Sequence, residues 1–224
     1  MPTESHSTVL HMPLSGADDI VRRMQALQSQ APIEVVVIGV STGGPQALTG
    51  VIPYLPANLA VPVVIVQHMP QTFTGALAAS LNDKSIVTVV EGQHGQTLEA
   101  GMVYIAPGGK QMKIVQQNPR QAPSLLMTDD PPENYCKPSV DYLFRSVAHL
   151  YANRALAVIM TGMGADGVRG LRLMKQQGAK ILAQDAASCV VFGMPMEAIK
   201  AGVVDAVVPL GQLAAAIIQH VGRR

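Results

Sequence analysis

The sequence predicts an α/β fold: a doubly wound, mainly parallel sheet with helices on both faces and a small antiparallel extension. Three observations carry that expectation. From residue 34 onward, short continuous apolar runs alternate with longer amphipathic segments, the pattern of βα units. The apolar runs are rich in Val and Ile and lack polar alternation, as strands buried on both faces require. Hydrophobic residues make up 48% of the chain and aromatic residues 4%, with no Trp, so the core is built from aliphatic side chains and Met.

The elements follow in order. EVVVIGV (34–40) is the first buried strand, followed by a Gly-rich turn and a helical segment over 45–52. VPVVIVQHMP (61–70) is the second strand segment, with a helix over 73–82 behind it. Four short strand patterns, 86–90, 102–106, 111–115 and 124–128, then crowd together between turn residues, and the strand-rich stretch 86–128 is where the antiparallel extension is expected. QQNPRQAP (116–123) reads as a hairpin or surface connection within it. A helix over 139–151, a strand over 155–160, a helix over 167–176, a strand over 179–184, a helix near 195–201, a strand over 203–208 and a helix over 211–221 complete the alternation.

The first part of the chain is different. Residues 1–15 mix Pro, Ser, Thr and His without periodicity. Residues 16–30 put Ile20, Val21, Met24, Leu27 and Gln28 on one helical face before Ala31-Pro32 interrupts them. The expected organisation is an N-terminal tail with a short helix over 1–33 and the α/β domain over 34–224.

Composition excludes several functions. Charged residues are 14% of the chain and the net charge is +1, with no Lys/Arg cluster longer than two, so no basic stripe for nucleic acid exists. No apolar run reaches the roughly 18 residues that span a bilayer, and the N-terminus lacks the basic start and apolar stretch of a signal peptide. Two cysteines, Cys136 and Cys189, make no disulfide framework. A cytoplasmic protein without membrane insertion is expected. His6, His11, His94, His149 and His220 show no ligand spacing with Cys or carboxylates, so no metal site is expected.

Ligands of open α/β sheets bind beyond the carboxyl ends of the strands. After the first run comes Gly39-Val40-Ser41-Thr42-Gly43-Gly44-Pro45; after the second, Gln67-His68-Met69-Pro70; after the strand at 155–160, Thr161-Gly162-Met163-Gly164-Ala165-Asp166-Gly167. Three strand ends therefore deliver Ser41, His68 and Asp166 to one edge of the sheet. A serine hydroxyl is a poor nucleophile until a base takes its proton. His68 titrates in the useful range, and a carboxylate such as Asp166 can orient the imidazole. Gly39-Val40-Ser41-Thr42-Gly43 also fits the G-x-S-x-G elbow.

Plainer readings stand beside this one. A Gly-rich turn after a first strand is often a phosphate or dinucleotide loop, although G-x-G-x-x-G spacing is missing here. A lone Asp before a helix is commonly an N-cap, and Asp166 fits that role. The order Ser…His…Asp differs from the Ser…Asp…His order of α/β-hydrolases, so another fold must host the trio. Cys189 reads as a buried small hydrophobe, and Cys136, in Asn134-Tyr135-Cys136-Lys137-Pro138, as an exposed thiol beside a lysine and a minor candidate nucleophile.

Six motifs then occur in order: Ile38-Gly39-Val40-Ser41-Thr42-Gly43-Gly44, Gln67-His68-Met69-Pro70, Tyr104-Ile105-Ala106-Pro107-Gly108, Lys137-Pro138-Ser139-Val140-Asp141, Thr161-Gly162-Met163-Gly164-Ala165-Asp166-Gly167 and Gly193-Met194-Pro195. Together they resemble the catalytic domain of the chemotaxis-receptor methylesterases, the CheB family, over about residues 34–215. The resemblance implies hydrolysis of glutamyl methyl esters on the cytoplasmic domains of methylated chemoreceptors, with release of methanol. It also implies, as in many members, deamidation of receptor glutamines.

It places the nucleophile on Ser41, the base on His68 and the acidic partner on Asp166. Thr42 and Met163 match positions lining the substrate site, with the Met163 backbone N–H an oxyanion donor. No cofactor is implied. The family's usual N-terminal receiver domain is not expected within residues 1–30, which leaves regulation by a separate protein, or none, as the expectation. Cys136 and Lys137 stand where the family often has His and Arg, and lysine lacks arginine's bidentate fork. A family-like binding module without catalysis is the alternative reading.

Overall fold

The structure, a computed structural model, describes residues 31–221; the tail and the helix expected over 16–30 lie outside them. Its strands are β1 (Val35–Val40), β2 (Val63–Gln67), β3 (Thr88–Glu91), β4 (Met102–Ile105), β5 (Gln111–Val115), β6 (Ser124–Thr128), β7 (Ala155–Ile159), β8 (Lys180–Gln184) and β9 (Ala206–Val208). Its α-helices are α1 (Gly44–Thr49), α2 (Gln71–Asn82), α3 (Val140–Tyr151), α4 (Val168–Gln176), α5 (Met194–Lys200) and α6 (Leu210–Val221). Seven strands form one sheet in the order β3-β4-β2-β1-β7-β8-β9, and every pairing in it is parallel.

The alternation of side chains explains why β1 reads as unbroken apolar sequence. Val36, Ile38 and Val40 enter one core; Val35 and Val37 enter the other. The first face is covered by α2 and α6 through Leu77, Ala78, Leu81, Leu213, Ala214 and Ile217. The second is covered by α3, α4 and α5 through residues such as Phe144, Val147, Leu171, Met174 and Ala198. A strand with helices on both faces has no solvent side, so it has no polar positions to spare.

The strand-rich stretch 86–128 divides differently from the expectation. β3 and β4 join the parallel sheet, and the antiparallel part is β5–β6 alone, paired from Gln111↔Thr128 to Val115↔Ser124. The connection 116–123 is the turn of that hairpin. Its apolar residues Met112, Ile114 and Leu125 cap the second core beside α3. The last strand is shorter than expected, because the chain pairs with β8 over Ala206–Val208.

Helix α4 approaches α3 closely at Gly170. A Cβ placed there would lie 2.5 Å from the Phe144 Cβ and 3.3 Å from the Asp141 carbonyl oxygen, neither of which can swing aside. Alanine gains helix propensity, less so in a first turn, but the overlap with a buried stem costs more. We expect Gly170→Ala to destabilise the fold by about 1–2 kcal/mol net, lowering the melting temperature by roughly 2–8 °C in a thermal unfolding scan. An unchanged or higher melting temperature would show that the helices separate freely.

Candidate active site

The chain leaves β1 toward β2 on one side and later returns to β7 on the other, so the strand order reverses at β1. Open α/β sheets bind ligands at such a switch point. Ser41 follows β1, His68 follows β2 and Asp166 lies beyond β7, so all three expected residues come to this crevice.

Asp166 is the most heavily bonded of them, and only 3% exposed. It accepts from His68 Nε2 at 2.7 Å, Asn134 Nδ2 at 2.8 Å, Ser139 Oγ at 2.8 Å and the backbone N–H groups of Val140 and Asp141 at 2.7 and 3.1 Å. Its neighbour Gly167 donates as well, at 3.1 Å. Val140 and Asp141 are the first residues of α3, so the carboxylate caps a helix N-terminus, where negative charge is favoured. The cap belongs to α3, not to the helix that follows Asp166 in sequence. Burial opposes the charge of Asp166, but donation from His68, Asn134 and Val140 holds its carboxyl below the ordinary range. Asp141, which shares the Asn134 amide at 2.9 Å, is pushed up, first by burial.

Ser41 is half-buried on the turn into α1. Gly43, with φ 81°, makes that turn possible, since a side chain would be strained in this left-handed conformation. The Ser41 N–H donates to the Thr161 carbonyl at 2.9 Å, tying the end of β1 to the end of β7. The His68 N–H donates to the Val40 carbonyl at 3.1 Å. Buried Gln67 donates from Nε2 to the carbonyls of both Ser41 (3.1 Å) and His68 (2.9 Å), fixing the two turns relative to each other. Thr161 does the same on the other side. Its hydroxyl donates to the Thr42 carbonyl at 2.9 Å and accepts from the Val191 N–H at 3.0 Å, while its own N–H donates to Gln184 Oε1 at 2.9 Å.

Thr42 is exposed beside Ser41, and Met163 is 72% exposed at the rim. Met194 lies beneath them in the core, its sulfur against Gly162, where a Cβ would also meet the Ser41 Cβ at 2.7 Å.

The imidazole's two nitrogens contact Asp166 and Cys136, not Ser41. Nε2 binds Asp166 and Nδ1 lies 3.6 Å from Cys136 Sγ. Cys136 is half-buried, and the Lys137 ammonium turns away from it to donate to the Asp129 carbonyl at 2.9 Å. The loop that carries it is held by Asn134 on Asp166 and by the Glu133–Cys136 backbone pair. Cys189 is half-buried, and burial pushes its thiol up to about 11, in keeping with an unreactive side chain.

Asn134, Ser139, Gln67, Thr161 and Gln184 were not singled out by sequence reasoning. Ser139 stood inside the Lys137-Pro138-Ser139-Val140-Asp141 motif and Gln67 inside Gln67-His68-Met69-Pro70, which were the available signals. The approach of Cys136 to His68 had no signal in the spacing of the chain.

Fold and site place the chain among doubly wound α/β domains with a polar crevice at the switch point of the sheet. The chain belongs to the CheB methylesterase family, whose sequence profile matches residues 36–217. It is 53% identical over 188 residues to a protein-glutamate methylesterase/protein-glutamine glutaminase of Desulfotalea psychrophila, covering 84% of this chain and 52% of that protein. A Vibrio vulnificus protein named protein-glutamate methylesterase/protein-glutamine glutaminase 1 is 41% identical over 233 residues, covering 98% of this chain and 60% of that one. The chain thus spans about half the length of the curated relatives it matches. The crystal structure of the Thermotoga maritima CheB methylesterase catalytic domain superposes with a TM-score of 0.81 at 39% identity, covering 84% of this chain and 99% of that one.

Burial alone would disfavour the His68 imidazolium. Its hydrogen bond to Asp166 and its contact with Cys136 outweigh that and raise its pKa from 6.5 to about 9. Removing either partner removes a raising contribution and leaves the burial. The midpoint of the His68 ring in an NMR titration is therefore expected near 9 in the parent, lower in Cys136→Ser and lower still in Asp166→Asn. A midpoint unmoved by both substitutions would refute this account of the site.

Proposed function

We propose that the protein is a protein-glutamate methylesterase acting on methylated chemoreceptor cytoplasmic domains, and that the same site deamidates receptor glutamines. Membership of the family supports the reaction class, and the names of the relatives join the two activities. The observation that carries the assignment of residues is the 2.7 Å bond between His68 Nε2 and Asp166 at the switch point, one strand from Ser41. In the neutral ring, the form reached above a pKa raised to about 9, that bond keeps the proton on Nε2 and leaves Nδ1 as the basic nitrogen.

In the proposed reaction Nδ1 exchanges its Cys136 contact for the Ser41 hydroxyl. Such catalytic contacts often close only when substrate binds. Ser41 Oγ attacks the ester carbonyl as its proton passes to His68, and Asp166 stabilises the imidazolium without taking the proton. The backbone N–H of Met163 and those following Ser41 face the developing oxyanion. His68 then protonates the departing methanol, and water releases the acyl enzyme by the reverse steps. A primary amide at the same carbonyl would lose ammonia. Thr42 and Met163 contact the substrate, and no cofactor takes part. No helix of the described residues is long and apolar enough to cross a membrane, and a cytoplasmic location suits a substrate on the receptors' cytoplasmic side.

The test is methanol release from methylated receptor membranes, together with labelling by a fluorophosphonate. Ser41→Ala and His68→Ala are each expected to lower the rate by about 10³-fold or more with folding intact, and the label is expected on Ser41. Undiminished release by Ser41→Ala would overturn the mechanism. A folded protein with no label and no release would favour a binding module.

A further inference from the structure

We propose that Cys136 and His68 form a regulatory binding site for a soft divalent cation, zinc by its chemistry, and that the bound metal silences the site by occupying Nδ1 of the base. Three observations support the assignment. His68, Cys136 and Asp166 offer ligand-type atoms that all lie within 4.8 Å of one another. The Cys136 Sγ to His68 Nδ1 separation is 3.6 Å. A tetrahedral zinc about 2.3 Å from sulfur and about 2.0–2.1 Å from nitrogen sets those two ligands roughly 3.6 Å apart, so the separation of the two side chains matches that of two ligands on one metal.

The remaining observation is the position of Asp166. It accepts from Nε2, the nitrogen that the metal does not use. A carboxylate on the far ring nitrogen of a metal-binding histidine fixes the tautomer and raises the basicity of the ligating nitrogen. The geometry that prepares Nδ1 to take a proton therefore also prepares it to take a metal. Thiolate and imidazole together select zinc over magnesium or calcium, which prefer oxygen. Two protein ligands leave the other positions to water, so the site suits a reversible inhibitor and not a structural ion.

On binding, the thiol and, where the ring is protonated, Nδ1 each release a proton to solvent, and the thiolate and the neutral ring nitrogen both donate to the metal. No redox step is involved. Nδ1 is then withdrawn from Ser41. The silencing part of this proposal rests on the catalytic reading above; the metal site does not.

The experiment uses the full chain. Cobalt(II) chloride is titrated in, and the near-ultraviolet thiolate-to-cobalt charge-transfer band is followed, with zinc chloride as competitor. A band saturating at one cobalt per chain is expected in the parent, in Cys189→Ser and in Ser41→Ala, and it should vanish in Cys136→Ser and Cys136→Ala. In parallel, zinc should block fluorophosphonate labelling of Ser41, a chelator should restore it, and Cys136→Ser should need roughly tenfold more zinc or above for the same block. No band in the parent, a band that survives loss of Cys136, or one that disappears with Cys189 would overturn the site. Equal zinc sensitivity of the parent and Cys136→Ser would overturn the silencing. A cobalt band from a protein whose metal-free form never labels at Ser41 would leave the metal site standing while the catalytic reading fell.

Discussion

The buried carboxylate of Asp166 is the point on which the rest of the site hangs. A charge only 3% exposed survives inside a protein when its lone pairs are occupied by donors. Here the donors come from four places in the chain: the end of β2 through His68, the loop before α3 through Asn134 and Ser139, the first turn of α3, and Gly167 next door. Each needs the carboxylate as much as the carboxylate needs it. Two N-terminal amide groups of α3 would otherwise be orphaned, and the imidazole would have no fixed tautomer. The residue proposed to orient the base is thus also the structural keystone, which makes its removal a different kind of change from the removal of Ser41.

That arrangement follows from the parallel sheet. Parallel strands all end on the same edge, so residues 41, 68 and 166 converge although they are far apart in sequence. The switch at β1 opens the crevice between the turns, and the turns are then tied together by hydrogen-bonding side chains. Gln67 holds the carbonyls of Ser41 and His68 from one side, and Thr161 holds the Ser41 and Thr42 turn from the other. Positioning of this kind, on strand ends braced by buried hydrogen bonds, is what the proposed nucleophile and base, separated by one strand, would require.

The strand-end residues were legible in the sequence because their logic is local. An apolar run ending in a polar or glycine-rich turn can be read without knowing the partner strands. So could the hairpin over β5 and β6, whose connection carries its own turn residues. The assignment of β3 and β4 to the parallel sheet was not legible, because a short strand records its burial but not the direction of its neighbour. Asn134, Ser139 and Cys136 failed for the same reason at the level of side chains. Asn134 lies 32 residues from the carboxylate it supports and Cys136 lies 68 from the ring it contacts. Asp166 shows the converse failure: its place before a helix suggests an N-cap role, and it has one, but on a helix that precedes it.

The contact between Cys136 and Nδ1 sets the terms on which the site works. The nitrogen left basic by Asp166 is singular, and two side chains have a claim on it. In the proposed reaction the sulfur, a weak hydrogen-bond partner, yields that nitrogen to the Ser41 hydroxyl when substrate orders the site. In the proposed metal-bound state a thiolate bridged through the cation would hold it strongly. On these two proposals the same residue would leave the base accessible in one chemical environment and sequestered in another. The loop carrying Cys136 is anchored through Asn134 to the very carboxylate that orients the ring.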